Sequence, residues 1–185
     1  MTTPADDVTG EGPLAGLRVL DLGLLVQGPQ AALLLGDMGA DVVKVELPEV
    51  GDQSRWVPIS LEDRRAPYFV GCNRGKRSMT VDLRTPRGRE VFYRLADSAD
   101  VVISNFVPGT LERWAIDYET VSQGNPRIVY GVGSTFGSEG PDASRKGADI
   151  AGQASGGIFY RTGNGPDSLS PIGVTIADHL GSQNM

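Results

Sequence analysis

The residue in this chain best placed to do chemistry is Asp178. It closes the string Gly173-Val174-Thr175-Ile176-Ala177-Asp178, an approach of small and apolar residues after a Gly-rich region. That is the setting of a carboxylate pointed into a ligand cleft. The same acid would also suit the first turn of a helix, and the string by itself leaves both readings open. Other chemistries find little support. His179 is the one histidine, so neither a Ser-His-Asp triad nor a two-histidine metal site can be assembled within the chain. An exposed position at a helix start suits it. Cys72 is the one cysteine, which excludes an intrachain disulfide and a cysteine zinc cluster and reads as a small buried thiol. No metal is expected. The Walker pattern is absent. The dinucleotide fingerprint is absent as well, because Gly23 and Gly28 are five apart with Pro29 following, and Glu46 at the end of a strand is weak evidence by itself.

The elements that must hold Asp178 follow from hydrophobic periodicity. Residues 17–22 form a short apolar strand, a Gly-containing turn follows, and Gln30 to Met38 is a helix rich in Ala and Leu. Gly39 ends that helix as a left-handed cap, and Asp41 to Glu46 is a β-branched strand, completing a βαβ unit. A second unit starts with a strand over Ser78 to Leu83, turns at Thr85-Pro86 (an N-cap followed by proline at the first helical position), and runs a helix from Arg87 to about Ala96. Val91, Phe92, Leu95 and Ala96 form its apolar stripe. Strands are predicted at Ala99 to Phe106 and Arg127 to Val132, with a short helix from Pro108 to Ala115 between them. Such alternation predicts an α/β fold: an open, mostly parallel Rossmann-like sheet with helices on both faces and ligands beyond the carboxyl ends of the strands. Those ends are the loops at 23–29, 47–55, 84, 105–108 and 133–141.

Composition sets the broad class. With 185 residues, 39% hydrophobic and 22% charged, the chain suffices for one domain with a real core. Residues 1–12 are polar and acidic, without the basic start and apolar core of a secretory signal, and are expected to be a flexible tail ahead of a domain over 13–185. No apolar run approaches the ~18 residues that span a bilayer. The net charge of −6 argues against nucleic acid and anionic membrane surfaces as partners, so any polyanionic ligand must be met by local cations. A cytoplasmic location is the expectation.

Several strings, taken in order, resemble one family. They are Leu17-Arg18-Val19-Leu20-Asp21, Val26-Gln27-Gly28-Pro29, Gly36 through Glu46, Asn73 through Ser78, Asp82 through Gly88, Asn105-Phe106-Val107-Pro108-Gly109, and Gln153-Ala154-Ser155-Gly156-Gly157. Their order and spacing resemble those of the family III CoA-transferases (CaiB/BaiF type), from Pro13 to the C-terminus. The resemblance implies that Asp178 is the catalytic aspartate, which accepts the acyl group of an acyl-CoA as a mixed anhydride and then carries CoA as an aspartyl thioester. Transfer of CoA to a carboxylic acid then needs no ATP, provided water is kept from the intermediates. Gln27 matches the glutamine beside the thioester. Arg84, Asn105, Phe106 and Arg113 match positions that approach coenzyme A, and Lys146 matches a basic residue at its nucleotide end, where guanidinium and ammonium groups suit phosphates. The cations of Arg74 to Arg77 are expected to flank a strand and pair with nearby acids. The racemase branch of the family resembles Gly-His-Asp where this chain reads Gly147-Ala148-Asp149, and the missing histidine makes transferase the preferred expectation, with an acyl-CoA racemase or an inactive CoA-binding fragment as the alternatives. Kinship further implies a second domain and a glycine-rich lid beyond these residues, so that the fold is cut before the second domain. It also implies that the full-length protein is an interlocked homodimer.

Overall fold

The structure is a computed structural model and describes residues 11–60, 62–63, 65–165 and 167–185. The tail expected over 1–12 therefore falls almost wholly outside the described residues. Five strands, Arg18–Asp21 (β1), Asp41–Glu46 (β2), Arg77–Thr80 (β3), Val101–Ser104 (β4) and Val129–Val132 (β5), form one sheet in the order β3-β2-β1-β4-β5. Every pairing is parallel. Helix α1 (Gln27–Asp37) links β1 to β2, α2 (Pro67–Asn73) precedes β3, and α3 (Pro86–Ala96) links β3 to β4. Two one-turn helices, α4 (Thr110–Arg113) and α5 (Tyr118–Val121), fill the connection to β5. After it come α6 (Asp149–Ser155), α7 (Ile158–Thr162) and α8 (Ile176–Gln183).

Strand alternation divides the core in two. Val19, Val42 and Ile103 face Ala31 and Ala32 of α1, whereas Leu20, Val45 and Val102 face Phe92 and Ala96 of α3. Both faces are covered, as parallel sheets require. Burying a side chain such as the fully enclosed Phe92 contributes about 1.5–3 kcal/mol. The expected cap at Thr85 is present: its Oγ1 accepts the Gly88 N–H at 3.0 Å, with Pro86 following as the first residue of α3.

Element bounds differ from the sequence reading in informative ways. Helix α1 starts at Gln27 rather than Gln30, because a proline in the first helical turn has no N–H to waste. The ladder of β3 covers 77–80 rather than 78–83, yet Val81 and Leu83 stay in the core and the Val81 N–H still reaches Glu46 O at 2.8 Å. No helix among the described residues is long and apolar enough to cross a membrane.

Candidate active site

The strand order reverses between β1 and β4, and in such sheets a crevice opens at that place beyond the carboxyl ends. Its two banks are stapled together. Asn105, just past β4, accepts the Leu24 N–H at 2.8 Å through Oδ1 and donates through Nδ2 to Leu24 O at 2.9 Å. The loop leaving β1 is also held from below by a buried ionic network. Lys44 Nζ meets Asp52 Oδ2 at 2.8 Å and Gly23 O at 2.8 Å, and Lys76 Nζ meets Asp21 Oδ2 at 2.7 Å and Pro29 O at 2.6 Å. Asp52 Oδ1 takes the N–H of Leu25 at 3.0 Å. Leu25 has φ +61°, a left-handed conformation that a branched side chain keeps only when its surroundings impose it. All three basic residues in 74–77 pair with acids as expected: Arg74 with Asp37, Lys76 with Asp21, and Arg77 with Asp41.

Above this base lies a cleft of about 450 Å³, and six of the seven sequence-predicted site residues line it: Gln27, Asn105, Phe106, Arg113, Lys146 and Asp178. Arg84 does not. Its guanidinium is exposed beyond the edge strand β3 and bonds both oxygens of Asp82, at 2.8 and 2.9 Å. Gln27, the first residue of α1, directs its carboxamide between two glycines, Gly133 after β5 and Gly181 in α8. Among the described residues that amide has no hydrogen-bond partner. Phe106 meets Trp114 edge-on with ring centroids 5.3 Å apart, an aromatic wall on the β4 side.

Asp178 occupies the first turn of α8 and also lines the cleft, so the two readings of its string hold at once. Burial, and next the nearby carboxylate of Asp149, push its carboxyl above the usual range, with His179 opposing. His179 points the other way and contacts Gln30 of α1 through Nδ1. It is half-buried there, not on the surface. Cys72 is buried, and burial pushes its thiol up, away from reactivity.

Cations at the far side of the cleft are open to a ligand. Lys146 makes no ion pair among the described residues, and Arg113 bonds only neutral acceptors, Gly109 O at 3.4 Å and Thr110 Oγ1 at 3.1 Å. Arg145, which the sequence reading passed over, also lines the cleft, stacked 4.7 Å over Phe136 and paired with Asp142. Asp149 and Gln153 were likewise given no role. Their spacing of four on one helix face was the available signal.

Comparison with known proteins gives the family of the chain. The sequence model of CoA-transferase family III matches residues 14–185. Over 172 residues the chain is 41% identical to a succinate–glutarate CoA-transferase of Agrobacterium fabrum, covering 90% of this chain and 43% of that one. It is 35% identical to the human succinyl-CoA:glutarate CoA-transferase over 178 residues, which is 95% of this chain and 40% of that one. The crystal structure of a CAIB/BAIF family protein from Brucella suis superposes with a TM-score of 0.83 at 44% identity, over 90% of this chain and 45% of that one. The chain thus spans less than half the length of these relatives. A match over nearly all of its residues, on a fold whose cleft gathers six of the residues that the resemblance singled out, establishes that the chain belongs to CoA-transferase family III.

Proposed function

We propose that this chain carries the CoA-binding and acyl-accepting half of a CoA-transferase that moves CoA between an acyl-CoA thioester and a free carboxylic acid. The observation that carries the reading is the convergence of Asp178, Gln27 and the uncompensated cations Arg113 and Lys146, from four separate segments, on one cleft at the switch point. Coenzyme A suits this lining. Its phosphates need positive charge that is not already neutralised, and Arg113 and Lys146 supply it. Its thioester would lie toward Asp178 and Gln27. Arg84, held by Asp82 outside the cleft, takes no part in the bond-making steps on this reading.

The chemistry runs through two pairs of acyl exchanges. A carboxylate oxygen of Asp178 attacks the thioester carbonyl, the C–S bond breaks, and CoA leaves as thiolate with an acyl–aspartyl anhydride in place. The thiolate then attacks the aspartyl carbonyl carbon and releases the first carboxylic acid as its anion, leaving an aspartyl–CoA thioester. An incoming carboxylate displaces the thiolate to give a second anhydride, and the thiolate attacks the acceptor's carbonyl to form the new thioester and free Asp178. Each addition generates an oxyanion, toward which the unpartnered Gln27 amide can donate. Burial of Asp178 serves the same end, because both anhydrides and the thioester must be kept from water. The relatives at 41% and 35% identity are named for succinate and glutarate and for succinyl-CoA and glutarate respectively, which makes short dicarboxylates the acceptors to test first.

The test is to trap the intermediate. The chain is incubated with succinyl-CoA, quenched with hydroxylamine, and mapped by peptide mass spectrometry. A hydroxamate on Asp178, absent from D178A, is the expected outcome. A clean spectrum at Asp178 while CoA demonstrably binds would replace the reading with one of binding alone.

A further inference from the structure

Helix α8 begins without a cap from its own sequence. Thr175 stands at its N-cap position, yet its buried hydroxyl has no hydrogen-bond partner among the described residues. A carboxylate from α6 does the work instead. Asp149 Oδ1 accepts the N–H of Ala177 at 2.7 Å and of Asp178 at 3.1 Å, across 28 and 29 residues of chain. Its other oxygen, Oδ2, accepts from Gln153 Nε2 at 2.6 Å. Gln153 is 1% exposed, and it also donates to Val174 O at 3.0 Å and accepts the Ile172 N–H at 2.9 Å. Two side chains one turn apart on α6 therefore hold four backbone groups between residues 172 and 178.

We propose that Asp149, backed by Gln153, is a positioning residue that fixes the first turn of α8 and thereby aims the Asp178 carboxyl at the substrate carbonyl. The inference rests on the reading of Asp178 as acyl carrier. A helix's first turn is where its N–H groups are orphaned and where it frays, and the direction of a side chain there follows the backbone that bears it. Charge-assisted bonds to two successive N–H groups remove that freedom. The arrangement works against Asp178 electrostatically, since a second carboxylate beside a nucleophilic one disfavours its ionisation. Placement, not charge, is therefore the advantage that Asp149 confers.

The experiment has a structural arm and a kinetic arm, both on the chain as it stands. In isotope-labelled wild-type protein, NMR should detect scalar coupling across the hydrogen bond from the Ala177 amide nitrogen to the Asp149 side-chain carboxyl carbon. In D149A the amides of Ala177 and Asp178 should lose exchange protection while those of β1 and β4 keep theirs. With succinyl-CoA as probe, labelling of Asp178 should slow about a hundredfold in D149A, the scale of an ångström-sized misplacement, at an unchanged half-saturating concentration. D149N retains the acceptor toward α8 while giving up the bond from Gln153 Nε2, which still donates to Val174 O, and should label within about tenfold of wild type, again on the geometric scale of near-attack alignment. Absence of the coupling, wild-type protection and labelling in D149A, or a D149N rate as poor as that of D149A would each overturn the proposal. If D149A fails to fold, the wild-type coupling and the D149N rate still decide. If wild-type protein shows no labelling at all, the acyl-carrier reading fails, while coupling and protection still judge the clamp.

Discussion

Substituting Gly181 by alanine separates stability from activity. Gly181 sits inside α8 with the Gln27 carboxamide packed against it, and a Cβ there would fall well inside the 3.0 Å that real Cβ atoms essentially never breach. The amide is close to glycine on its other side as well, where a Cβ built on Gly133 would stand 2.5 Å from Gln27 Oε1, so the end of Gln27 has little room that a second side chain could share. A shift of more than half an ångström is thus forced on the end of Gln27 or on the axis of α8. Replacing an interior helical glycine by alanine contributes up to about 1 kcal/mol in favour of the helix, which offsets the cost of moving the flexible end of one side chain. Net stability should change by less than about 1 kcal/mol, a thermal midpoint shift of roughly 2–4 °C at most for a chain of this size. The chemistry has no such compensation. Loss of one aimed oxyanion donor costs about 10²–10³ in turnover, and partial displacement should cost about tenfold or more. Thermal unfolding followed by circular dichroism, alongside the rate of Asp178 labelling by succinyl-CoA, reads both quantities. A G181A protein that folds as well as wild type and labels at the wild-type rate would refute the idea that the glycine pair holds Gln27 for catalysis.

Two further outcomes follow from the ionic groups beneath the cleft. D52A removes the partner of the buried Lys44 and the acceptor for Leu25 N–H, and should destabilise by about 3–5 kcal/mol in urea unfolding, the cost of leaving a buried charge without its mate. A smaller loss would mean that Asp21 and Gly23 O satisfy Lys44 unaided. For Glu46, burial pushes the carboxyl up, but bonds from Arg55, Ser78 and the Asp52 N–H outweigh it and hold the carboxyl below its ordinary value of 4.5. The unfolded chain therefore binds the proton more readily, so Glu46 contributes stability that is complete above about pH 4.5 and is lost as pH falls through the folded value. E46Q should flatten the dependence of stability on pH below 4.5 while leaving it unaltered near neutrality. An unchanged acid slope would refute that assignment.

The pattern of strands and helices was legible because each unit buries both faces of a parallel strand, and apolar runs bounded by turn residues report that directly. Thr85-Pro86 and Gly39 announced their helix boundaries for local reasons, and the structure has the Thr85 cap and φ +102° at Gly39. The early start of α1 was hidden by Gly28-Pro29, which reads as a break. In the structure Gly28 is needed so that Asn105 can approach, a Cβ there lying 2.9 Å from Asn105 Oδ1. No local signal reveals a contact 77 positions away. The ionic network was hidden for the same reason. Asp21 and Lys44 read as ordinary strand residues, and only the β1–β2 register sets them side by side on the α1 face. At the candidate site, the lining residues were found through family strings, whereas the clamp of Asp149 on α8 depends on a fold-back of 28 residues. Spacing along the sequence does not encode that fold-back.

The reciprocal bonds between Leu24 and Asn105 join points separated by 81 positions, and they exist only once the crossover from β3 has laid β4 against β1. The cleft is therefore a product of long-range topology and cannot preform in any short peptide. A molecule that bridges both sides of that seam selects the completed sheet over every partly folded alternative, raising global stability by RT ln(1 + [L]/Kd). On the proposed function, addition of a CoA ester should accordingly be read in slower exchange of the amides along the central strands β1 and β4, including those at the ends remote from the cleft.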